Sequence, residues 1–157
     1  MNKRIALICL SGFILSTIAC SSGKLPEVRI TNGKLLPCPA SPNCVSSQAE
    51  DKKHKVAPIP IPADKTNDIR TVIVNVLSSM KRVVIVKNTE SHIHAVFSTS
   101  IFRFKDDVDF LIDRKEGFIH IRSASRIGHS DFGVNRKRIE KLRKIINHHY
   151  QPSGISR

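Results

Sequence analysis

Apolar side chains recur along this chain with two periods: every three or four residues, as in a helix, and every second residue, as in a strand. A first helix is predicted over residues 66–80 and a second over residues 135–149, because apolar residues return there every three or four positions. The apolar positions of the first are Ile69, Val72, Ile73, Val76, Leu77 and Met80, and one face of the second carries Ile139, Leu142, Ile145, Ile146 and His149. Elsewhere on the second helix are the cations Arg136, Lys137, Lys141, Arg143 and Lys144, so one of its faces is core and the rest is basic.

Between the helices lie four β-rich runs, at residues 82–87, 93–104, 107–113 and 118–125. Glu116-Gly117 is the clearest turn between two of them. The predicted fold class is α+β: an antiparallel β-sheet of about four strands with two helices packed on one face, preceded by an extended Cys/Pro-rich segment. Within that segment, prolines alternate with apolar residues over 56–63, which predicts an extended stretch lying across the domain surface.

The N-terminus has the pattern of an export signal. Lys3 and Arg4 precede an apolar run that closes on Ala19-Cys20, and this run is too short to span a bilayer comfortably. A cysteine at that position resembles the lipidated cysteine of bacterial lipoproteins, with palmitate-type acyl chains on Cys20; ordinary cleavage and an uncleaved anchor are the alternatives. Ser21 resembles the pattern sorted to the outer membrane, facing the periplasm.

These features divide the chain into a signal peptide (1–19), a polar tether (20–34), one domain (35–150) and a flexible tail (151–157). The formal charge of +13 becomes +11 once Lys3 and Arg4 leave with the signal. Outside the cytoplasm, such a charge points to anionic lipid or an envelope polymer rather than to nucleic acid. The seven Phe and one Tyr form no evident base-stacking platform, and no nucleic-acid partner is predicted.

Two cysteines remain beyond the signal and the proposed lipid site. Cys38 and Cys44 bracket a proline-containing loop, which predicts a structural disulfide in an oxidising compartment. Metal ligation by this pair with His54 is disfavoured by the spacing, and a redox-active pair is disfavoured because no CxxC is present. No metal site and no cofactor are predicted.

One acidic residue, Asp106, falls on the apolar side of a predicted strand. Asp106 alternates in phase with the apolar Phe104, Val108, Phe110 and Ile112, so a regular strand turns its carboxylate inward. A buried carboxylate needs cations or donors, and the expected partners are Arg122, Arg126 or the backbone near Gly133. The alternative is that the strand begins at Asp107 and that Asp106 is a turn residue.

The stretch 122–138, where a strand-like run passes through a glycine-bracketed loop into the basic helix, is the candidate site. A helix start exposes unpaired N–H groups, so this junction is predicted to bind an anion or to hold a buried polar network. The predicted members are Asp106, Arg122, Ser123, Ser125, Arg126, Asp131, Asn135 and Arg136. In the purely structural alternative, the hydroxyls satisfy backbone groups and the arginines pair with Asp106 or Asp131.

The favoured function is a non-enzymatic binding or structural module anchored by lipid to the cell envelope. An enzyme acting on a phosphorylated or carboxylated substrate, with Asp106 as general acid or base beside Arg122 and Arg126, is the alternative. Hydrolase chemistry at His129-Ser130-Asp131 is disfavoured, because neighbours in sequence do not line up as nucleophile, base and orienter. No catalytic residue is predicted.

Three ordered motifs resemble one family. LPCPASPNCVSSQA (36–49), FRFKDDVDFLID (102–113) and IRSASRIGHSDFGVNRKRIEKLR (121–143) are similar to the domain of unknown function 1499 family of bacteria and plastids. The resemblance implies that members are often lipoproteins or membrane-associated, and it supplies no reaction or ligand. His129 stands where that family often has Arg or Tyr, which argues against a fixed chemistry at this position.

Overall fold

The computed structural model describes residues 29–65, 68–100 and 102–150 of the chain. The predicted signal peptide, Cys20, the first part of the predicted tether and the predicted tail lie outside the described residues.

A four-stranded antiparallel meander forms the centre of the fold. Its strands are β5 (Val83–Asn88), β6 (His92–Ser98), β7 (Lys105–Asp113) and β8 (Phe118–Ser125), numbered with the shorter strands described below. The predicted strand over 93–104 is too long, because β6 pairs with β7 only as far as Ser98 opposite Lys105. Residues 99, 100 and 102–104 instead belong to the β6–β7 loop, which borders the site described below.

Two short strands enlarge the sheet from the predicted four strands to six. β3 (Cys44–Ser46) and β4 (Ile59–Pro60) both pair with β8, at different points along it. The segment 56–63 therefore does not lie across the surface as predicted, because Val56, Ile59 and Ile61 are buried in the core. Pro60 is tolerated at the sheet edge, where its missing N–H leaves no ladder bond unmade.

Both helices pack on one face of the sheet, and the predicted α+β class is confirmed. α1 (Ile69–Ser78) lies against β5 and α2 (Val134–His148) against β8 and β3, and both bury their apolar positions in the core. The sheet side of this core is Ile93, Ala95, Phe97, Val108, Phe110, Ile112, Ile119 and Ile121. The core runs from Val45 to Ile146, so a chain beginning after Cys20 keeps every contact described here and can fold as a unit.

A small hairpin covers the other face of the sheet. β1 (Ile30–Thr31) and β2 (Lys34–Leu35) are joined by Asn32-Gly33, both with positive φ (51° and 70°), as a two-residue hairpin turn requires. β2 lies against β7 and β8, and Leu35 is buried. Residues 29–34, predicted as part of a polar tether, therefore belong to the folded domain.

The predicted disulfide between Cys38 and Cys44 is confirmed, with a Cα–Cα distance of 5.6 Å. It closes the loop that connects the hairpin to β3. His54 contacts Asp51 (Nδ1 to Oδ2, 3.0 Å) and, within the disulfide loop, the Ser41 carbonyl (3.1 Å).

Candidate functional site

Three aspartates of β7 are almost completely removed from solvent. Asp106, Asp107 and Asp109 are 3%, 6% and 1% exposed. Strand alternation sends Asp106 to the helix face and the other two to the face covered by the hairpin. Because a buried carboxylate is expensive unless cations and donors meet it, each face must supply its own partners.

On the hairpin face, Asp109 binds the first described residue of the chain. Arg29 donates to both carboxylate oxygens, from Nε to Oδ1 at 2.7 Å and from Nη2 to Oδ2 at 2.5 Å. His92 contacts Oδ1 through Nε2 at 3.1 Å. This bidentate pair, between residues 80 positions apart, holds the base of the hairpin against the sheet.

Asp107 is held in the same way by a different arginine. Arg126 donates to both of its oxygens at 3.1 and 3.0 Å, and His94 Nε2 lies 2.9 Å from Oδ1. Arg29 Nη1 lies 4.0 Å from Asp107 Oδ2, so it links the two pairs. We call these four residues, together with Asp109 and His92, the hairpin-side network.

These contacts decide the ionisation of both carboxyls. Burial alone would raise the pKa of Asp109, but hydrogen bonds from Arg29 and His92 and the Arg29 charge bring that pKa below its ordinary value. At Asp107, hydrogen bonds from His94 and Arg126 likewise outweigh burial and lower the pKa. Both aspartates are therefore held as carboxylates.

Arg122 is buried beside the network but is poorly bonded. It stands opposite Asp109 in the sheet, is 8% exposed, and reaches only the Pro37 carbonyl, at 3.4 Å. Its Nε has no hydrogen-bond partner among the described residues, and the same holds for His92 Nδ1. Burial lowers the pKa of Arg122 despite the attraction of Asp109.

On the helix face, Asp106 pairs with Arg138 of α2. Arg138 donates from Nη2 to Asp106 Oδ2 at 2.5 Å, and from Nη1 to Ser123 Oγ at 3.0 Å and Asn135 Oδ1 at 2.6 Å. Its guanidinium also lies 5.0 Å from the centre of the Phe97 ring. The prediction that Asp106 is inward-facing holds in this structure, but the expected partners Arg122, Arg126 and the Gly133 backbone were wrong.

Asn135 extends this helix-side network into the loops. Its Nδ2 donates to the Asn43 carbonyl at 2.9 Å and to Ser125 Oγ at 3.0 Å, while its Oδ1 accepts from Ser123 Oγ at 2.5 Å. Asn43 in turn donates to the Gly128 carbonyl at 2.5 Å. The strand, the helix start and both flanking loops are therefore fixed to one another.

The helix start itself is occupied by a side chain of the protein. Asp131 accepts from the N–H of Gly133 at 3.0 Å and from that of Asn135 at 2.7 Å. Gly133 takes the left-handed φ of 77° that lets the chain enter α2 there. An external anion at this point would have to displace a carboxylate, so the geometry does not support the predicted anion site at the helix start.

The predicted site residues are therefore divided among three places. Asp106, Ser123, Ser125 and Asn135 meet on the helix face, whereas Arg122 and Arg126 lie on the hairpin face. Arg136 joins neither group and donates to the carbonyls of Lys55 and Lys53, both at 2.7 Å. The predicted members therefore do not meet at one site.

Sequence reasoning missed Arg29, His92, His94 and Arg138. The alternation in His92-Ile93-His94 and Asp107-Val108-Asp109 is a readable signal, because it puts two histidines and two acids on the same faces of adjacent strands. Asn32-Gly33 is an equally readable hairpin signal, and it would have moved Arg29 from the tether into the fold.

Above the helix-side network is an open cleft of about 260 Å³ between the β6–β7 loop and the loop that joins β8 to α2. Its walls are largely apolar, and Asp106 lies at its floor. We call it the junction cleft; its apolar lining is Phe104, Ile127, Phe132 and Val134.

The comparisons with known proteins give one match. The model of the family described as "Protein of unknown function (DUF1499)" matches residues 34–146. The chain belongs to the DUF1499 family. Comparison with curated proteins found no match, and neither did comparison with solved structures.

The three buried aspartates of this DUF1499 domain are already paired with arginines of the chain. No group of three or more His, Cys, Asp and Glu side chains suited to a metal ion occurs among the described residues. Within the same part of the chain, no helix is long and apolar enough to cross a membrane. Both networks join distant segments of the chain. The groups that stay exposed near the junction are the apolar side chains of the cleft and the lysines of α2.

Acid should destabilise the domain through the hairpin-side network. The folded-state pKa of Asp109 is lower than its unfolded value of about 3.9, so in that interval the unfolded chain binds more protons and stability is lost as the pH falls. We expect the free energy of unfolding of residues 21–157, measured by urea denaturation, to decline from about pH 5 downward. Asp109→Asn should lower stability by roughly 3–5 kcal/mol at pH 7 and flatten this decline.

The matched control is Asp113→Asn, which alters a β7 carboxylate outside the network and should keep the acid dependence of the wild type. If Asp109→Asn does not fold, Asp107→Asn gives the same comparison. Equal acid dependence in the wild type and the network variant would contradict this assignment.

Two arginines of α2 should differ sharply in their effect on stability. Arg138→Ala leaves the buried Asp106 carboxylate without its cation, which should lower the free energy of unfolding by roughly 3–5 kcal/mol. Arg136→Ala removes bonds to exposed carbonyls and should lower it by about 1 kcal/mol. Urea denaturation measures both, and similar losses would argue against a structural role for the Asp106–Arg138 pair.

Proposed function

We propose that this chain is a lipid-anchored envelope protein, attached through Cys20, whose domain binds anionic lipid headgroups through one face of α2. The observation that carries the proposal is a set of three exposed lysines, Lys137, Lys141 and Lys144, which we call the lysine stripe. The export-signal pattern at residues 1–20 supports the location, and we propose the outer membrane, facing the periplasm.

The stripe follows from helix geometry. At about 100° per residue, Lys137, Lys141 and Lys144 fall within roughly 60° of one another and opposite the buried Ile139 and Leu142. With Arg136 and Glu140 they line a shallow groove of about 480 Å³. Glu140 is the only acid in that lining, and Arg143 Nε donates to it at 3.1 Å.

The lysines of the stripe differ from the arginines of the two buried networks in what they contact. Arg29, Arg126 and Arg138 are paired with aspartates, and their charge is already matched inside the protein. The lysine stripe makes no ion pair with any residue that the structure describes. Flexible lysine side chains on an exposed helix face suit the phosphates of a fluid lipid layer, because binding these phosphates needs no fixed geometry.

The enzyme alternative gains no support from the geometry. It required Asp106 beside Arg122 and Arg126, and these arginines lie on the opposite face of the sheet from Asp106.

Neutralising the lysine stripe should abolish most of the binding to anionic vesicles. Each cation near an anionic surface contributes about 1 kcal/mol, so Lys137→Gln/Lys141→Gln/Lys144→Gln should weaken binding roughly 100-fold. The measurement is co-sedimentation of residues 21–157 with phosphatidylglycerol-containing vesicles, and wild-type binding should fall steeply with added salt.

The control is Lys81→Gln/Lys87→Gln/Lys115→Gln, which removes the same charge from exposed positions away from α2 and should change binding by less than about threefold. Wild-type protein that ignores anionic vesicles but binds soluble polyanions would replace lipid with an envelope polymer as the ligand. Equal losses in the two triple variants would show that net charge, and not the stripe, attracts the membrane.

The anchor has a separate test. Cells expressing the full chain and fed labelled palmitate should incorporate the label into wild-type protein, while Cys20→Ser should carry none because the thiol that accepts the lipid is gone. Cys9→Ser, which alters a cysteine within the signal, is the control and should label normally once the protein is processed. Equal labelling of wild type and Cys20→Ser would sink the lipoprotein assignment.

A further inference from the structure

Exposed apolar side chains are concentrated around the junction cleft. Eight large hydrophobic residues are exposed in the described part of the chain, and five of them gather around the cleft, four on its two bordering loops and one at the start of α2. We call these five the apolar cap: Phe102, Phe104, Ile127, Phe132 and Val134. The rings of Phe102 and Phe104 stack at 5.4 Å, so the cap has a continuous aromatic edge.

The cap is unfavourable in two ways: it exposes apolar rings to water, and it holds residues in backbone conformations that they rarely adopt. Phe132 is 90% exposed and has a φ of 51°, a left-handed conformation that bulky residues rarely adopt. In the other loop, Arg103, which follows Phe102 and precedes Phe104 in the sequence, has a φ of 52°. Neither loop gains an internal core contact from presenting its aromatic ring to water, so a ligand outside the domain accounts for the arrangement best.

The cap rests on a rigid support. Asn135 and Asn43 bind the strand end and the Gly128 carbonyl, and Asp131 fixes the loop to the first turn of α2. Thr99 Oγ1 accepts from the Phe104 N–H at 2.9 Å, which closes the opposite loop. The two loops are therefore held at a fixed separation, and insertion would require little reordering of either.

Charge around the cap favours one kind of occupant. Val134 lies on the solvent-facing side of α2 that continues into the lysine stripe, and Arg103 and the exposed Lys105 flank the aromatic edge on the other side. Aromatic and aliphatic tips bordered by cations match a bilayer interface, where acyl chains lie beneath a layer of phosphates. Asp131, an acid in the cleft wall, already accepts from the N–H groups of Gly133 and Asn135. An apolar protein groove would not call for cations on both sides of the cap.

We propose that the apolar cap inserts into the boundary between headgroups and acyl chains of an anionic bilayer, with Phe132 and Phe102 leading. The inference rests on the proposed function, and it adds that the domain penetrates the lipid rather than remaining on the phosphate layer. The ligand is thus the lipid bilayer itself and not a soluble anion.

The experiment exploits a chain that contains no tryptophan. Phe132→Trp places a single fluorophore at the cap, and Val84→Trp places one on β5, at a site 62% exposed on the other edge of the sheet, as the matched control. Residues 21–157 of each variant are mixed with phosphatidylglycerol–phosphatidylethanolamine vesicles, with and without bromine atoms on the acyl chains. Co-sedimentation is measured on the same samples, and circular dichroism verifies that both variants are folded.

Insertion predicts a blue-shifted emission and strong bromine quenching for Phe132→Trp, and neither for Val84→Trp, in samples that co-sediment equally. Co-sedimentation without quenching at residue 132 would overturn the insertion and leave the electrostatic binding of the lysine stripe intact. Absence of co-sedimentation for both variants would overturn the proposed function and the insertion together. A blue shift on adding a soluble polyphosphate would also overturn the insertion, because it would show a change within the protein.

A second variant tests the same surface by affinity. Phe132→Ser should weaken vesicle binding at least about tenfold, because the transfer of one phenylalanine side chain from water is lost. Val84→Ser should leave binding unchanged. A cap that instead covers a second copy of the chain would show concentration-dependent dimers in solution that Phe132→Ser abolishes, together with unchanged vesicle binding, and this result would overturn the proposal.

Discussion

The buried carboxylates of β7 are the constraint on which the rest of the structure depends. Three aspartates within four residues of one strand cannot lose their water unless cations reach them from elsewhere in the chain. Those cations come from the segment before β1, from the end of β8 and from the first turns of α2. Each elementary charge thus ties a different part of the sequence to the centre of the sheet.

This dependence explains why the fold contains two polar networks rather than one. The sheet separates Asp106 from Asp107 and Asp109, so no single arginine can serve all three. The helix-side network positions the two loops of the junction, and the hairpin-side network retains the hairpin. Polar side chains concentrated at 122–138 are used chiefly to organise the molecule, which leaves recognition to groups at the surface.

Sequence periodicity was sufficient for the secondary structure that depends on local patterns. Spacing alone is enough to predict both helices, the strand at Phe118–Ser125 and the inward orientation of the Asp106 side chain. β3 and β4 could not be predicted in this way, because two- and three-residue strands have no period and exist only through pairing with β8. The partner of Asp106 was missed because it depends on the rotation of α2 against the sheet, which a linear sequence does not specify.

The bidentate hold of Arg29 on Asp109 has a further consequence for a chain tethered at Cys20. Only eight residues lie between the two positions, and this stretch spans at most about 30 Å when fully extended. If acyl chains fix Cys20 at the bilayer, the domain samples a thin shell of solvent next to the membrane, where the effective concentration of headgroups is very high. Even a weak intrinsic affinity would then keep the domain docked. Loss of the Arg29 contact would lengthen the tether between the lipid and the domain and would lower that effective concentration.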